Sequence, residues 1–397
     1  MPKPELLDYD QTAIWQTLAR PALLGPDCVA RQLTPAGLAE VRDGQGRALM
    51  FNSLGSGPDG LPWASSSSRL WFLLGGQYQG VWQPDAGWQR EYCYGLPNWL
   101  PRLFGIADGP ELAWLAAHTP AGETLLARAR QSGIEQLGIR LPMLATGAWR
   151  EGAWLNLVGY TPRLMDDDGN LQRFGAPAWQ RIHIESGTLE APGLAPPLPQ
   201  PSTSQHDWIA ESWLATAALG RSRLLVAGLL GGGSLWELED FDAQPGVSDY
   251  LGTACYLWHD GELALSDLIE HHSHLASLTI DELPWLYLAP NRGSLGRSDE
   301  LLLQRATPAG RWERHRLSIG GIRADGRVLD FRVNFHRHGR FFACLTQHFV
   351  DTNEQQTCWL RSEDGIRWLA LDTQLETARA RDQRQWQHLT ALAQASS

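Results

Sequence analysis

Phe331 to Trp368 reads FRVNFHRHGRFFACLTQHFVDTNEQQTCWLRSEDGIRW, and this one stretch holds a whole structural unit. It opens with a short run, Phe331-Arg-Val-Asn-Phe335, reverses, and continues as the apolar run Arg340-Phe-Phe-Ala-Cys-Leu345. A looser polar loop leads to Arg361-Ser-Glu-Asp-Gly-Ile-Arg-Trp368, a turn with Gly at the reversal and Trp just after it. Short aromatic and β-branched runs bounded by turn residues read as strands. The unit is therefore first strand, tight turn, second strand, loop, third strand, turn, fourth strand.

The same order recurs along the chain. First strands are read at Phe104-Gly-Ile-Ala-Asp-Gly109, Leu144-Ala-Thr-Gly147, Trp213-Leu-Ala-Thr-Ala217 and His274-Leu-Ala-Ser-Leu-Thr279. Second strands are read at Arg69–Leu74, Glu111–Ala117, Ala153–Val158, Arg223–Ala227 and Leu283–Leu288. Turns closed by Trp occur at Trp82–Trp88, Arg173–Trp179 and Arg305–Trp312. Four antiparallel strands repeated at a period of about 40–60 residues describe a β-propeller, in which each sheet packs on its neighbours.

The expected fold class is all-β: a β-propeller of six four-stranded blades with a short C-terminal helix. Blades are expected near 43–92, 100–140, 141–187, 207–268, 270–319 and 328–373. Cys28–Arg42 carries Thr34-Pro-Ala-Gly37, the turn string of Thr307-Pro-Ala-Gly310, so the N-terminal segment 1–42 either closes the ring as a hairpin or joins a seventh blade. The propeller occupies 43–373, and the tail 374–397, without Gly or Pro, reads as helix. A β-sandwich is the competing architecture; a TIM barrel would need amphipathic helices between the strands, and none is evident.

Composition agrees with a turn-rich, ring-packed protein: 397 residues include 19 Trp, 40 Gly and 24 Pro. Trp88, Trp179, Trp312 and Trp368 are expected to fill the gaps between blades. A net charge of −11 removes the diffuse positive field that binds phosphate backbones, so neither nucleic acid nor an anionic membrane is an expected partner. No basic leader and no membrane-length apolar run is visible, giving a cytoplasmic expectation. Five scattered cysteines argue against a disulfide framework or zinc knuckle and read as buried small hydrophobes.

Ser362-Glu-Asp-Gly-Ile-Arg-Trp368 resembles the Asp-box, or bacterial neuraminidase repeat (BNR), S-x-D-x-G-x-x-W, with one residue fewer between Asp364 and Trp368. The resemblance is to the sialidase-like propellers, where the box ties the turn between third and fourth strands on the face away from the active site. It implies fold, not chemistry. The early Phe-Arg-Ile-Pro signature of that superfamily has no match, which counts against sialic acid hydrolysis. Looser relatives, propeller glycosidases and polysaccharide lyases, make carbohydrate the implied substrate.

In such a ring the fourth-to-first and second-to-third connections share one face, where a site is expected. Glycoside hydrolysis needs two carboxyl groups across the sugar, and Asp207, Glu211 and Glu270 are the best-placed acids; the competing reading has Asp207 capping a turn and the glutamates solvated. A lyase would use His272 or Tyr160 as base, with Arg292 neutralising a uronate. Tyr78, Trp99 and Trp208 offer flat faces for sugar stacking, with Arg102 and Tyr160 as polar contacts.

Two H-x-H pairs, His272-Ser-His274 and His336-Arg-His338, would hold a divalent metal if they converge, and would not if the second pair flanks the far end of its strand. No other cofactor is expected. Asp166–Asn170 lacks the EF-hand glutamate, Gly231–Ser234 is not a phosphate loop, and no G-x-S-x-G elbow occurs. Three readings follow: a carbohydrate-active enzyme, hydrolase or lyase; a non-catalytic propeller binding a protein or a small polar ligand; and a metal-dependent enzyme.

Overall fold

The computed structural model describes residues 10–377 except 21, 26, 35–36, 57–60, 67–68, 85–102, 108–109, 120–121, 161–163, 166–170, 174–176, 191–207, 220–221, 232–249, 260–261, 282, 291–296, 310 and 337–339. For some strand residues, among them Tyr160, Trp208, Glu211 and His336, the description is of the backbone only. The expected tail helix, beyond Thr377, lies outside the described residues.

Among the described residues seven sheets of three or more strands follow one another along the chain, with one two-stranded hairpin inserted. Helix α1 (Gln11–Leu18), capped by the Asp10 carboxylate on the Thr12 N–H, precedes sheet 1: β1 (Ala22–Leu24), β2 (Ala30–Thr34) and β3 (Gly37–Glu40). Sheet 2 is β4 (Ser53–Ser56), β5 (Pro62–Ser65), β6 (Leu70–Leu74) and β7 (Tyr78–Trp82); sheet 3 is β8 (Leu103–Ala107), β9 (Leu112–His118), β10 (Thr124–Arg130) and β11 (Gly133–Leu141). Sheet 4 joins β12 (Leu144–Glu151) and β13 (Trp154–Tyr160) to β16 (Pro177–His183), with the hairpin β14 (Leu164–Met165) and β15 (Leu171–Arg173) inserted.

Sheet 5 is β17 (Trp208–Leu219), β18 (Ser222–Gly231), β19 (Tyr250–His259) and β20 (Glu262–Glu270). Sheet 6 is β21 (His272–Ile280), β22 (Leu283–Pro290), β23 (Leu302–Ala306) and β24 (Trp312–Arg316). Sheet 7 is β26 (Arg327–His336), β27 (Arg340–Phe349), β28 (Glu354–Ser362) and β29 (Arg367–Thr377), with β25 (Ser318–Gly320) pairing in parallel along its outer edge.

Hydrophobic cores close these sheets into a ring. Sheets 2, 3 and 4 share one core running from Leu61 through Trp114 to Ile184. Trp149 and Val158 of sheet 4 meet Tyr256 and Trp258 of sheet 5, and Cys255 and Ile269 of sheet 5 meet Leu286 and Leu288 of sheet 6. Tyr287 of sheet 6 packs on Phe331, Phe341 and Trp368 of sheet 7. Leu23 of sheet 1 then covers Phe342, Cys344 and Trp359 of sheet 7, while Ile14, Leu24 and Ala30 pack with Ala64 and Trp71 of sheet 2. The result is a seven-bladed propeller, the N-terminal segment supplying the seventh sheet.

Local chemistry explains the strand order. Second strands face a neighbouring sheet on both sides, so they read as unbroken apolar runs; β9, Leu112-Ala-Trp-Leu-Ala-Ala-His118, is buried from Ala113 onward. Outer strands carry charge instead, as in β24, Trp312-Glu-Arg-His-Arg316, which blunts an edge that would otherwise pair with another chain.

Two expectations of register are corrected. Gly75 and Gly76, both at positive φ, turn the chain immediately after Leu74, so Arg69–Leu74 lies on the third strand of sheet 2, not the second. Trp179 stands on β16, the third strand of sheet 4, before its turn instead of after it. Among the described residues no helix is long and apolar enough to cross a membrane.

Candidate functional site

The face that collects the fourth-to-first and second-to-third connections has a backbone signature. Innermost strands of four consecutive sheets carry a β-bulge near the end that enters from this face, at Thr146 in β12, Glu211 in β17, Leu275 in β21 and Leu329 in β26. An extra residue bends its strand and re-aims a side chain, and bulges gather beside active sites. Glu211 is itself the residue that interrupts the ladder between Ala210 and Ser212.

Sheet 5 passes to sheet 6 on the same face through a single residue. His271 takes φ +57°, and Glu270 and His272 flank it as the last residue of β20 and the first of β21. The His272 Nδ1 lies 2.8 Å from the Glu270 carbonyl oxygen, and the Thr253 hydroxyl donates to the His272 carbonyl at 2.8 Å. Those bonds fix the turn while the Glu270 side chain remains exposed.

Other expected site residues separate. Trp208 opens β17 at this face, and Tyr160 closes β13 there. Asp207, Arg292, Trp99, Arg102 and His338 lie outside the described residues. Tyr78 is corrected: it begins β7 just after the turn between third and fourth strands, which puts it on the opposite face.

The H-x-H pairs begin from different ends of their strands, as far as the described backbone runs. His272 and His274 open β21, whereas His336 closes the ten-residue β26, a strand about 30 Å long. Among the described residues no three His, Cys, Asp or Glu side chains gather as a metal-holding group. His274 is half-buried, and its buried Nε2 has no partner among the described residues; desolvation lowers its pKa to about 4, against an opposing bond with the Ala276 backbone.

Ser362 to Trp368 forms the turn between β28 and β29, at the opposite end from the candidate face. The Ser362 hydroxyl accepts from the Gly365 N–H at 2.9 Å, and one Asp364 oxygen accepts from the N–H groups of Ile366 and Arg367 at 2.9 and 2.8 Å. The Arg367 guanidinium donates to the other Asp364 oxygen at 2.7 Å, and the buried Trp368 ring donates to the Gly365 carbonyl at 3.0 Å. The Ser362 and Asp364 side chains are thus both engaged within the turn, as an architectural role requires.

A second constellation lies in the seam between sheets 4 and 5. Arg181 sits on β16 between two indoles, 5.1 Å from the Trp154 ring and 5.8 Å from the Trp179 ring. The Glu151 Oε2 accepts from Trp258 Nε1 and Asn156 Nδ2, both at 3.3 Å. None of Arg181, Glu151 and Trp154 figures among the residues expected from sequence to make a site. A period-2 signal is present in Trp179-Gln-Arg181-Ile-His183, which puts three such side chains on one face of a strand, but nothing local distinguishes it from packing.

No family model and no curated protein sequence matches the chain. Similar solved structures include AofleA from Arthrobotrys oligospora, at 10% identity over 80% of this chain and 82% of that one, TM-score 0.36. A neuraminidase-like protein from A/bat/Guatemala/164/2009 is similar at 11% identity over 69% and 74%, TM-score 0.36, and the GH43 endo-arabinanase of Bacillus licheniformis at 10% over 55% and 71%, TM-score 0.29. Likenesses this loose carry nothing about activity. The seven packed sheets themselves establish the propeller, the architecture that the sialidase-like resemblance of Ser362–Trp368 implies.

Proposed function

We propose that the protein is a carbohydrate-active propeller whose working face carries the fourth-to-first connections, with glycoside hydrolysis as the reaction. The feature that supports this reading is that two acid-bearing positions of sheet 5 fall at the same end of the ring: Glu211 at a backbone bulge of the innermost strand, β17, and Glu270 at the end of the outermost strand, β20, on the exposed turn before His272. One carboxyl group would protonate the leaving oxygen and the other act on the opposite side of the sugar, Asp207 standing in for either if it lies closer.

Single substitutions Asp207→Asn, Glu211→Gln and Glu270→Gln test the assignment against a panel of aryl glycosides and neutral oligosaccharides. Loss of about 10²-fold or more in turnover is expected for the acid and for its partner. Unchanged turnover in all three variants rejects it. A non-catalytic binding propeller is the second reading, favoured by the half-buried guanidinium held between two indoles in the seam between sheets 4 and 5.

A further inference from the structure

We propose that the seam between sheets 4 and 5 is a separate binding site for a neutral sugar, with Arg181 at its centre. Arg181 lies opposite Asn156 on the face of sheet 4 that is turned toward sheet 5. Two indole faces hold its guanidinium, yet among the described residues it makes no hydrogen bond, and its buried Nε has no partner. Its carboxylate neighbours stand off, Glu190 at 3.5 Å and Glu151 at 3.8 Å, beyond the roughly 2.7–2.9 Å of a charge-assisted bond.

Leaving the buried Nε of a guanidinium unpartnered, with only two long ion pairs at its other nitrogens, is costly unless something else completes it. Packing does not explain the arrangement, because Trp149, Val158, Tyr256 and Trp258 already fill the buried part of the seam. Trp154, Trp179 and Arg181 extend the same face outward and remain half-buried, Arg181 with 21% of its side chain exposed. All contacts to Glu151 fall on Oε2, so Oε1 has no partner among the described residues.

The ligand class follows from those groups. A sugar hydroxyl both donates and accepts, so a vicinal pair can accept from the guanidinium and donate to the carboxylate beside it. The apolar C–H face of a pyranose matches a half-exposed indole. Two carboxylates around one guanidinium leave the seam net negative, which disfavours an anionic ligand.

This inference shares the carbohydrate class of the function proposed above but none of its residues, and the test separates the two. Glucose, galactose, mannose and N-acetylglucosamine are titrated individually, with glucuronate as the acidic comparison, following tryptophan fluorescence and calorimetric heat. At least one neutral sugar is expected to bind and to perturb tryptophan emission. Arg181→Ala is expected to weaken it about 10–100-fold, and Arg181→Lys, which keeps the charge but loses the planar fork, at least about tenfold.

Binding that survives in the Glu211→Gln/Glu270→Gln double variant belongs to the seam. Failure of all four neutral sugars to bind, stronger binding of glucuronate, or equal affinity in wild type and Arg181→Lys would each overturn the proposal. Unchanged hydrolysis in the mouth variants, with binding weakened by the Arg181 variants, overturns the hydrolase reading alone; hydrolysis lost in the mouth variants, with binding indifferent to Arg181→Lys, overturns the seam alone.

Discussion

The Tyr287 hydroxyl of sheet 6 donates to the Gly365 carbonyl of sheet 7 across 3.3 Å, so the turn holding Ser362 and Asp364 is anchored by its neighbouring sheet as well as by itself. Gly365 has φ +72°, and a Cβ there would lie 2.8 Å from the Tyr287 oxygen and 2.9 Å from the Trp285 ring. Positive φ and overpacking therefore act together at this one position.

Gly365→Ala is expected to lower stability by about 2–4 kcal/mol, and Tyr287→Phe by about 1 kcal/mol. Urea denaturation followed by tryptophan fluorescence measures both. A change within about 0.5 kcal/mol for Gly365→Ala would show that the seam is looser than this geometry.

Acid stability should fall in two separate windows. Burial holds the His274 pKa at about 4, below its ordinary 6.5, so its neutral form stabilises the fold above pH 6.5, and that contribution is lost as pH falls toward 4. Burial alone would raise the Asp364 carboxyl, but the N–H groups of Arg367 and Ile366, the Arg367 guanidinium and the Ser362 hydroxyl hold it well below 3.8. Its contribution is present above that value and is lost only below it. His274→Gln is expected to flatten the stability curve in the first window and Asp364→Asn in the second; interchange of the two effects would contradict the assignment.

Gln304 bridges sheets 5 and 6 while wholly buried, donating to Asp267 and accepting from Arg314 Nε and Nη2 at 3.1 and 2.9 Å. Replacing it by Leu leaves two charged groups without this partner, for an expected loss of about 2–4 kcal/mol. Denaturation midpoints of Gln304→Leu, Asp267→Asn and the double variant test the coupling: strictly additive losses would mean that the bridge does not act as a unit.

Burial raises the thiols of Cys255 and Cys344, the latter to about 12, and Cys358 is buried as well. These three should resist alkylation in the folded protein and react after denaturation. Peptide mass spectrometry after brief iodoacetamide treatment reads this directly; rapid labelling of Cys255 would contradict its place in the core between sheets 5 and 6.

Strand type and order were legible because they rest on local chemistry. Runs such as Arg340–Leu345 read as buried strands, and the turn Ser362–Trp368 ties down its Ser362 and Asp364 side chains within seven residues. Tyr78 was misplaced for an equally local reason, since two glycines close a turn earlier than the surrounding runs suggest.

Tertiary structure alone decided the rest. Closure by a seventh sheet depends on Leu23 reaching Phe342 and Trp359, more than three hundred residues away in the chain. The bulges at Glu211 and Leu275 are set by how each innermost strand registers with its partner, and no single strand records that. Arg181 reads as one more surface charge until Trp154 and Trp179 flank it. A linear sequence specifies which groups must be buried, while the guanidinium held between two indoles and the shape of a mouth exist only once separate strands have been packed side by side.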